Sequence, residues 1–329
     1  MPPPPSPAFI RSQLLAKLPY PTTSYAGQTI IITGSNTGLG KEAARHYARL
    51  GASKVILAVR SLEKGEAAKK DIATMAAKGT VIEVWQINMA SYASVKAFAA
   101  RVEAELNRVD IFHANAGLVC SKFALAEDNE TMITVSVVST FLLAALILPK
   151  LKASAADFNI RPRLVITSSG AHEHTSFPQR TEESIFGALS DEKYAQGKYW
   201  SEQYPISKLL QIFIVRSIVE EHPAETYPVI INLPSPGLCH SQLSREAGGM
   251  QKVAFSVVKG VLARSTEKGS RTLVNAGIQG PESHGKYLSD CEIGEPGAIV
   301  TGNKDAQDRI WRELKAKLEL IQPGVTANF

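Results

Sequence analysis

This chain has few cysteines and few aromatic residues, and it lacks metal-ligand motifs and basic blocks. Its three cysteines, Cys120, Cys239 and Cys291, have a spacing that fits neither a zinc site nor a disulfide framework. A sparse, odd set of cysteines is typical of a reducing compartment, so we expect a cytoplasmic location. His172 and His174 have no cysteine or acidic partners at metal-ligand spacing. We therefore expect no metal and assign both histidines to a substrate loop or the surface.

The distribution of charge along the chain does not indicate binding to nucleic acid. The net charge is +5, but lysine and arginine are dispersed along the 329 residues without interleaved aromatic residues. This pattern excludes a nucleic-acid footprint and leaves a mild attraction for anionic cofactors.

No apolar run is long enough to predict a membrane span. The most apolar run, Val135–Pro149, is too short to cross a bilayer and predicts a buried helix instead. The N-terminal MPPPPSPAF has no basic region followed by an apolar stretch, so it does not read as a secretory signal. We expect no integral membrane segment.

The domain organisation follows from composition. Residues 1–26 form a proline-rich arm that wraps the surface or stays mobile. Its apolar residues are able to form a short docking helix: Phe9, Ile10, Leu14, Leu15 and Leu18. Residues 27–329 form one catalytic domain. Within it, residues 242–285 have little pattern at their start and suit a substrate lid.

Short β-branched segments alternate with helical patterns from Gln28 onward. This alternation predicts an α/β fold with a single Rossmann-type, doubly wound parallel sheet of about seven strands and helices on both faces. The predicted strands are Thr29–Thr33, Lys54–Val59, Val81–Ile87, Val109–His113, Arg163–Thr167, Val229–Leu233 and Gly285–Ser289. Ligands of such sheets bind beyond the carboxyl ends of the strands, so the residues that follow each strand deserve most weight.

A glycine loop follows the first strand and precedes a helix that ends at Gly51. The loop reads Gly34-Ser35-Asn36-Thr37-Gly38-Leu39-Gly40. Strand, loop and helix in this order predict a dinucleotide site: the glycines allow a tight turn, close approach of the pyrophosphate and close packing of the helix. An ordinary glycine-rich turn is the alternative.

Arg60 follows the second strand, where a dinucleotide site reads the adenosine ribose. An acidic residue there would bind the two hydroxyls of NAD, whereas an arginine binds the 2′-phosphate of NADP. The sequence therefore favours NADP(H). A solvated arginine at a helix start is the alternative.

Small and polar residues follow the later strands. Asn88 is suited to an adenine edge, the small residues after Asn115 allow a cofactor to lie against the backbone, and the loop after the sixth strand should approach the nicotinamide. Plain turns would also explain each of them. The remaining cofactor-contact candidates are Met89, Ala116, Gly117, Pro236, Gly237 and Ser241.

A candidate catalytic set follows the fifth strand. Tyr204 and Lys208 are four residues apart and share one helical face, with Pro205 in the first turn. An ammonium close to a phenol lowers its pKa, so Tyr204 becomes able to exchange a proton with a carbonyl oxygen. A serine from Ser168-Ser169 is able to hold the same oxygen. A surface Tyr–Lys pair is the alternative.

Together these motifs resemble the short-chain dehydrogenases/reductases. Gly34-xxx-Gly38-x-Gly40, Asn115-Ala-Gly, Ser168-Ser169, Tyr204-xxx-Lys208 and Pro236-Gly237 occur in family order between Gln28 and Ser241. TGSNTGLG, LAVRS and YPISKL are similar to the retinol-dehydrogenase-like branch, particularly its fungal members, which often act on secondary metabolites.

The resemblance implies NADP(H)-linked interconversion of a carbonyl and an alcohol. It implies that Tyr204 is the general acid/base, that Lys208 binds the nicotinamide ribose and that Ser169 orients the substrate oxygen. It also implies a homodimer formed through apolar helices around Val135–Leu151 and Leu209–Val219. Leu39, Asn88, Asn115 and Ser241 take the usual cofactor-contact positions.

Two departures from the family stand out. Asn88 replaces the usual aspartate, with little expected loss. Ser136 replaces an asparagine that holds a water in the proton relay of the family, so the relay here either runs through a backbone carbonyl or is impaired. Two other functions stay open: a non-catalytic NADP-binding regulatory or scaffold protein, and an epimerase or dehydratase on the same fold.

Overall fold

A computed structural model describes residues 6–195, 197–241, 243 and 260–329. Its main sheet has eight strands: β1 (Thr29–Thr33), β2 (Lys54–Val59), β3 (Val81–Gln86), β4 (Ile111–Ala114), β7 (Arg163–Ile166), β8 (Ile230–Ser235), β9 (Tyr287–Ser289) and β10 (Glu292–Gly294). A separate hairpin pairs β5 (Leu125–Ala126) with β6 (Asn129–Glu130). The predicted α/β fold is confirmed, and β10 is an additional strand.

The described helices surround this sheet. They are α1 (Pro7–Leu15), α2 (Gly38–Arg49), α3 (Leu62–Ala73), α4 (Tyr92–Glu105), α5 (Thr131–Ile133), α6 (Ser139–Phe158), α7 (Ile185–Ser190), α8 (Glu192–Ala195), α9 (Gln203–Glu221), α10 (Thr266–Ala276), α11 (Gly297–Thr301) and α12 (Lys304–Ile321). One π-helical turn, Thr134–Val138, joins α5 to α6. Short 3-10 turns lie at Gly170–Glu173, Pro178–Thr181, Gly197–Glu202, Pro281–Ser283 and Val325–Asn328.

Several helices begin where a serine side chain accepts a hydrogen bond from the first turn. Ser61, Ser91 and Ser265 accept from the backbone N–H three residues later, at α3, α4 and α10 respectively. Such caps satisfy one of the otherwise free N–H groups of a helix start.

The order of the strands places the site. Across the sheet the order is β10-β9-β8-β7-β4-β1-β2-β3, and every pairing is parallel except that of β9 with β10. The chain builds β1, β2 and β3 outward in one direction and then crosses to β4 on the other side of β1. The reversal between β1 and β4 opens a crevice at their carboxyl ends, where ligands of such sheets bind.

The core lies on both faces of the sheet. Along β1, Ile30 and Ile32 point to one face, with α2, α3 and α10, while Ile31 points to the other, with α4, α6 and α9. All three isoleucines are fully buried. A strand buried on both faces reads as a continuous apolar run, as TIIIT does.

The N-terminal arm docks, but not in the expected way. Gln13 of α1 is buried: its Nε2 donates to the carbonyl oxygens of Leu238 and Leu262 at 2.9 Å each, and its Oε1 accepts from the N–H of Leu238 at 3.1 Å. Of the apolar residues expected to dock, Leu18 is buried and Phe9 is half-buried, whereas Ile10, Leu14 and Leu15 are exposed. The arm is held by hydrogen bonds to backbone groups that no apolar side chain can satisfy.

The two apolar helices expected to form dimer faces are buried within the chain itself. The continuous helical stretch Thr131–Phe158 is long and apolar enough to cross a membrane, yet 89% of its most apolar window is buried. α4 and the turn Val325–Asn328 pack on α6, and α12 packs on α9. Other parts of the chain therefore cover much of both helices, and the homodimer stays a prediction.

The proposed lid is narrower than residues 242–285. From Thr266 onward the chain forms α10, which packs on α2 and β8 and has a buried face that includes Leu273 and Val274. The α10 residues therefore do not belong to a lid, and a lid formed by the preceding residues stays a prediction. Residues 242 and 244–259 lie outside the described residues.

Candidate active site

The glycine loop holds a tight turn at the carboxyl end of β1. Gly34 and Gly38 have φ values of +67° and +61°, in the left-handed region that favours glycine. A Cβ on Gly40 would lie 2.6 Å from Asn115 Nδ2 and 2.7 Å from the Gly34 carbonyl oxygen, closer than atoms can approach. The loop, the start of α2 and the end of β4 therefore pack so closely that only glycine fits.

The start of α2 is free to bind an anion. Thr37 occupies the N-cap position but makes no capping hydrogen bond, and no acidic residue lies in the first turn. The first N–H groups of a helix need acceptors and carry a partial positive charge. Since no side chain in the described part of the protein caps this helix, its N-terminus fits a pyrophosphate.

The other loop residues serve the turn. Ser35 is buried, and its hydroxyl donates to the carbonyl oxygen of Ile32 at 2.8 Å, so it cannot reach into the crevice. Asn36, Thr37 and Leu39 are half-buried. Ser241 lies against the loop, since its Cβ is 4.0 Å from the position of a Cβ on Gly38.

Arg60 lies at the end of β2 with its side chain exposed. Among the described residues its guanidinium forms no ion pair, whereas the nearby Lys41 and Arg45 both pair with Asp71. Arg60 is therefore the available cation beside the glycine loop on the β2 side.

Asn115 ties three strand ends together. Its Nδ2 donates to the carbonyl oxygen of Thr33 at 2.9 Å, and its Oδ1 accepts from the hydroxyl of Thr167 at 3.3 Å. The hydroxyl of Thr33 accepts from the N–H groups of Asn115 and Ala116, both at 2.9 Å. The Asn115 side chain therefore supports the crevice from below. The backbone at Ala116 and Gly117 faces the crevice.

Asn88 and the loop after β8 are also engaged within the protein. The side-chain oxygen of Asn88 accepts from the N–H of Ala90 at 3.2 Å, which leaves its amide nitrogen for an adenine edge, and the neighbouring Met89 is buried. The carbonyl oxygen of Pro236 accepts from Arg264, and Gly237 has a φ of +73°.

The structure brings Ser169 and Tyr204 together. Ser169 follows β7, Tyr204 lies in the first turn of α9 with Pro205, and the Ser169 hydroxyl is close enough to the Tyr204 phenol to lower its pKa. The hydroxyl of Ser169 also accepts from the N–H of Ala171 at 3.2 Å. Ser168, by contrast, is buried, and its hydroxyl has no hydrogen-bond partner among the described residues.

Lys208 lies one turn after Tyr204 and is buried. Its Nζ donates to the carbonyl oxygen of Thr167 at 2.7 Å and to Gln211 Oε1 at 3.2 Å, and lies 5.9 Å from the centroid of the Tyr204 ring. Burial lowers the pKa of Lys208 to about 8, because a charged ammonium loses its hydration.

The pKa of Tyr204 differs from the expectation. Burial raises it above the usual value of a phenol, the hydrogen bond to Ser169 opposes this rise, and Lys208 makes no resolved contribution. The expected lowering by Lys208 is therefore not seen in the protein alone. Tyr204 is protonated at neutral pH and is prepared to donate a proton.

His172 is buried behind Ser169 and is not a surface residue. Its Nδ1 donates to the carbonyl oxygen of Ser169 at 2.7 Å, and its ring packs edge-on against Tyr287 at 5.1 Å. His174 is exposed, as expected. Among the described residues, no group of three or more histidine, cysteine or acidic side chains is arranged to hold a metal ion.

Comparison with known proteins identifies the family. A sequence profile described as short chain dehydrogenase matches residues 28–179. The short chain dehydrogenase/reductase dmxR8 of Cryptosporiopsis is 58% identical over 326 residues, which cover 98% of this chain and 99% of the relative. The chain belongs to the short-chain dehydrogenase/reductase family. It is an oxidoreductase, and its cofactor is a nicotinamide dinucleotide.

Other fungal members of the short-chain dehydrogenases/reductases are also similar. The short chain dehydrogenase atnD of Emericella nidulans is 44% identical, over 86% of this chain and 90% of its own length. The short-chain dehydrogenase anuD of Penicillium roqueforti is 39% identical, over 97% of this chain and 84% of its own length. The retinol-dehydrogenase-like branch stays a prediction.

Solved structures share the short-chain dehydrogenase/reductase fold. The Pseudomonas aeruginosa RhlG/NADP active-site complex has a TM-score of 0.60 and 22% identity, over 82% of this chain and 97% of that chain. The alcohol dehydrogenase from Thermococcus sibiricus complexed with 5-hydroxy-NADP has a TM-score of 0.55 and 18% identity, over 80% and 95% of the two chains. At these identities the likeness concerns the fold alone.

Sequence reasoning missed two side chains at the site. Gln211, which contacts Lys208, lies three residues after it in an otherwise apolar helix segment, and its polarity was the available signal. His172 was noted but assigned to a substrate loop or the surface. Its contact with Ser169 depends on a 3-10 turn, Gly170–Glu173, that no periodic pattern reveals.

Proposed function

We propose that this protein is an NADP(H)-dependent reductase that interconverts a ketone or aldehyde and an alcohol, with Ser169, Tyr204 and Lys208 as its catalytic set. The observation that carries the proposal is the proximity of the Ser169 hydroxyl to Tyr204, with buried Lys208 one turn further on. This set lies at the carboxyl edge of the sheet that also carries the uncapped start of α2.

The cofactor, when bound, supplies a hydride to the carbonyl carbon or accepts one from the alcohol. The hydroxyls of Ser169 and Tyr204 both bind the carbonyl oxygen, and Tyr204 gives that oxygen its proton as the C–O double bond becomes single. The phenolate that remains recovers a proton from solvent. Because burial keeps Tyr204 protonated, reduction is the direction for which the site is prepared.

NADP(H) is favoured over NAD(H) by the exposed and unpaired Arg60 at the end of β2. A guanidinium binds a phosphate through paired, charge-assisted hydrogen bonds. Asn88, with its free amide nitrogen, would contact the adenine. The fungal relatives support a role in secondary metabolism, and the sparse cysteines support a cytoplasmic location.

The first experiment is a thermal-shift titration of the purified protein with NADPH, NADP, NADH and NAD. A ligand that binds the folded state raises the unfolding temperature by mass action. We expect a shift with the phosphorylated nucleotides and little with the others. NADPH oxidation is then followed over a panel of aldehydes and ketones with the wild type and with Tyr204→Phe.

Tyr204→Phe should fold and bind NADPH but lose turnover. Full activity in this variant would refute the catalytic assignment. Binding without turnover across the panel would favour the regulatory or scaffold function. Product formation without net NADPH consumption would favour an epimerase or dehydratase.

A further inference from the structure

A buried glutamine connects Lys208 to the helix on the opposite side of the site. Gln211 is fully buried in α9. Its Oε1 accepts from Lys208 Nζ at 3.2 Å, and its Nε2 donates to the carbonyl oxygen of Ser136 at 2.6 Å. One carboxamide thus spans the distance from the ammonium to the backbone of the neighbouring helix, and its two ends match a donor and an acceptor.

Ser136, whose carbonyl oxygen accepts from Gln211, lies where the helix is irregular. Ser136 lies in the π-helical turn Thr134–Val138, where the N–H of Ser139 bonds to the carbonyl oxygen of Thr134, five residues earlier. Such turns change the helical hydrogen bonding locally and often occur at functional sites. The Ser136 hydroxyl is buried without a hydrogen-bond partner among the described residues, so only its backbone takes part.

Lys208 depends on neutral acceptors. In the described part of the chain Lys208 forms no ion pair, burial is the cause of its lowered pKa, and its Nζ lies 5.9 Å from the centroid of the Tyr204 ring. The carbonyl oxygens of Thr167 and Gln211 accept two of its three protons. Burial disfavours the charged ammonium, and hydrogen bonds to these two acceptors favour it. The third proton of the Lys208 ammonium remains available to a group on the Tyr204 side of the crevice.

We infer that Gln211 is a positioning residue that keeps Lys208 protonated and directed at the Tyr204 side of the crevice, anchored by the Ser136 carbonyl. The inference rests on the proposed function, and it explains why the short side chain at position 136 does not disable the site. The Gln211 side chain connects the Ser136 backbone directly to Lys208, so this connection does not need a long side chain at position 136.

The test uses two substitutions with opposite electrostatic effects. Gln211→Met preserves volume but removes the acceptor, so the pKa of Lys208 should fall further. Gln211→Glu places a carboxylate beside Lys208, so its pKa should rise. With NADPH and menadione or benzaldehyde as probes, the upper limit of the pH range for reduction should move down by about one pH unit in the first variant and up in the second.

The pH dependence of urea unfolding reports the same group without turnover. Lys208 has a folded pKa of about 8 against a usual value of 10.5, so the folded state binds fewer protons between these values and stability rises with pH there. The rise should begin at lower pH in Gln211→Met and at higher pH in Gln211→Glu.

Gln307→Met is the matched control. Gln307 is equally buried, but its side chain bonds to Arg216 and Glu220, far from the crevice. The Gln307→Met variant should be less stable than the wild type. The pH dependences of its reduction rate and of its urea unfolding should match those of the wild type. If the two Gln211 variants behave like this control, Gln211 is only a structural residue and the inference is overturned. If the wild type reduces neither probe nor the wider carbonyl panel, the proposed function fails, and the unfolding curves still decide the link between Gln211 and Lys208.

Discussion

Gly40→Ala should damage the cofactor site and the fold at the same point. The added Cβ would lie 2.6 Å from Asn115 Nδ2 and 2.7 Å from the carbonyl oxygen of Gly34, where ordinary contact begins at 3.4 Å. Neither neighbour is able to yield easily. Asn115 is bonded to Thr33, and Gly34 is held at a φ of +67°.

The magnitude follows from these contacts. Overpacking of this kind destabilises by about 1–3 kcal/mol. Loss of the bond from Asn115 to Thr33 adds about 1 kcal/mol. We therefore expect the free energy of unfolding to fall by roughly 2–4 kcal/mol. Since the start of α2 must move, the affinity for NADPH should fall at least about tenfold, the effect of one lost charge-assisted hydrogen bond.

Gly51→Ala separates the two effects. Gly51 lies just after the same helix with a φ of +83°, and no atom lies within 4 Å of the position of its Cβ. The strained backbone should cost about 1–2 kcal/mol. The affinity for NADPH should not change. Urea unfolding and a fluorescence titration with NADPH measure both quantities. Wild-type affinity in Gly40→Ala would refute the assignment of this loop to the pyrophosphate.

Three further predictions concern charge. Arg60→Ala should weaken NADPH binding about tenfold or more and leave NADH binding unchanged. The control Arg101→Ala, which removes the same charge on α4, should alter the binding of neither nucleotide. Equal losses of affinity for both nucleotides in Arg60→Ala would contradict the phosphate assignment. The rate of carbonyl reduction should fall as the pH rises through about 8, where Lys208 loses its proton, and a constant kcat/KM up to pH 10 would show that the ammonium is not needed. The free energy of unfolding should fall as the pH drops from 6.5 toward 3, because burial holds the pKa of His113 at about 3 and only the unfolded state binds the proton; urea unfolding of His113→Gln should show a weaker dependence, and an identical slope would contradict this origin.

The sequence predicted the parts of the structure that local patterns determine. The strand Thr29–Thr33, the glycine loop and the helix that follows are encoded by adjacent residues, and the structure contains them with nearly the predicted bounds. Pro205 restricted Tyr204 to the first turn of its helix, because proline is tolerated only there. The parallel, doubly wound sheet followed from the alternation of strands and helices.

Contacts between distant residues were not predictable in this way. The π-helical turn Thr134–Val138 lies in a run that is buried on all sides, so its sequence shows no period that reveals a change in helical pitch. The docking of the arm depends on Gln13 and the backbone of Leu238, 225 residues away. The pKa of Tyr204 depends on how deeply its side chain is buried. The four-residue spacing to Lys208 gives no information about burial.

The packing of α12 and the turn Val325–Asn328 on α9 and α6 has a consequence for how the protein is made. α6 ends at Phe158, and α12 begins at Lys304. At a synthesis rate of about 5–20 residues per second, several seconds to half a minute pass before the segments that cover the apolar faces of α6 and α9 are synthesised. During this interval the nascent chain exposes its most apolar helix, so translation speed and chaperone supply should govern the soluble yield more strongly than the stability of the finished fold.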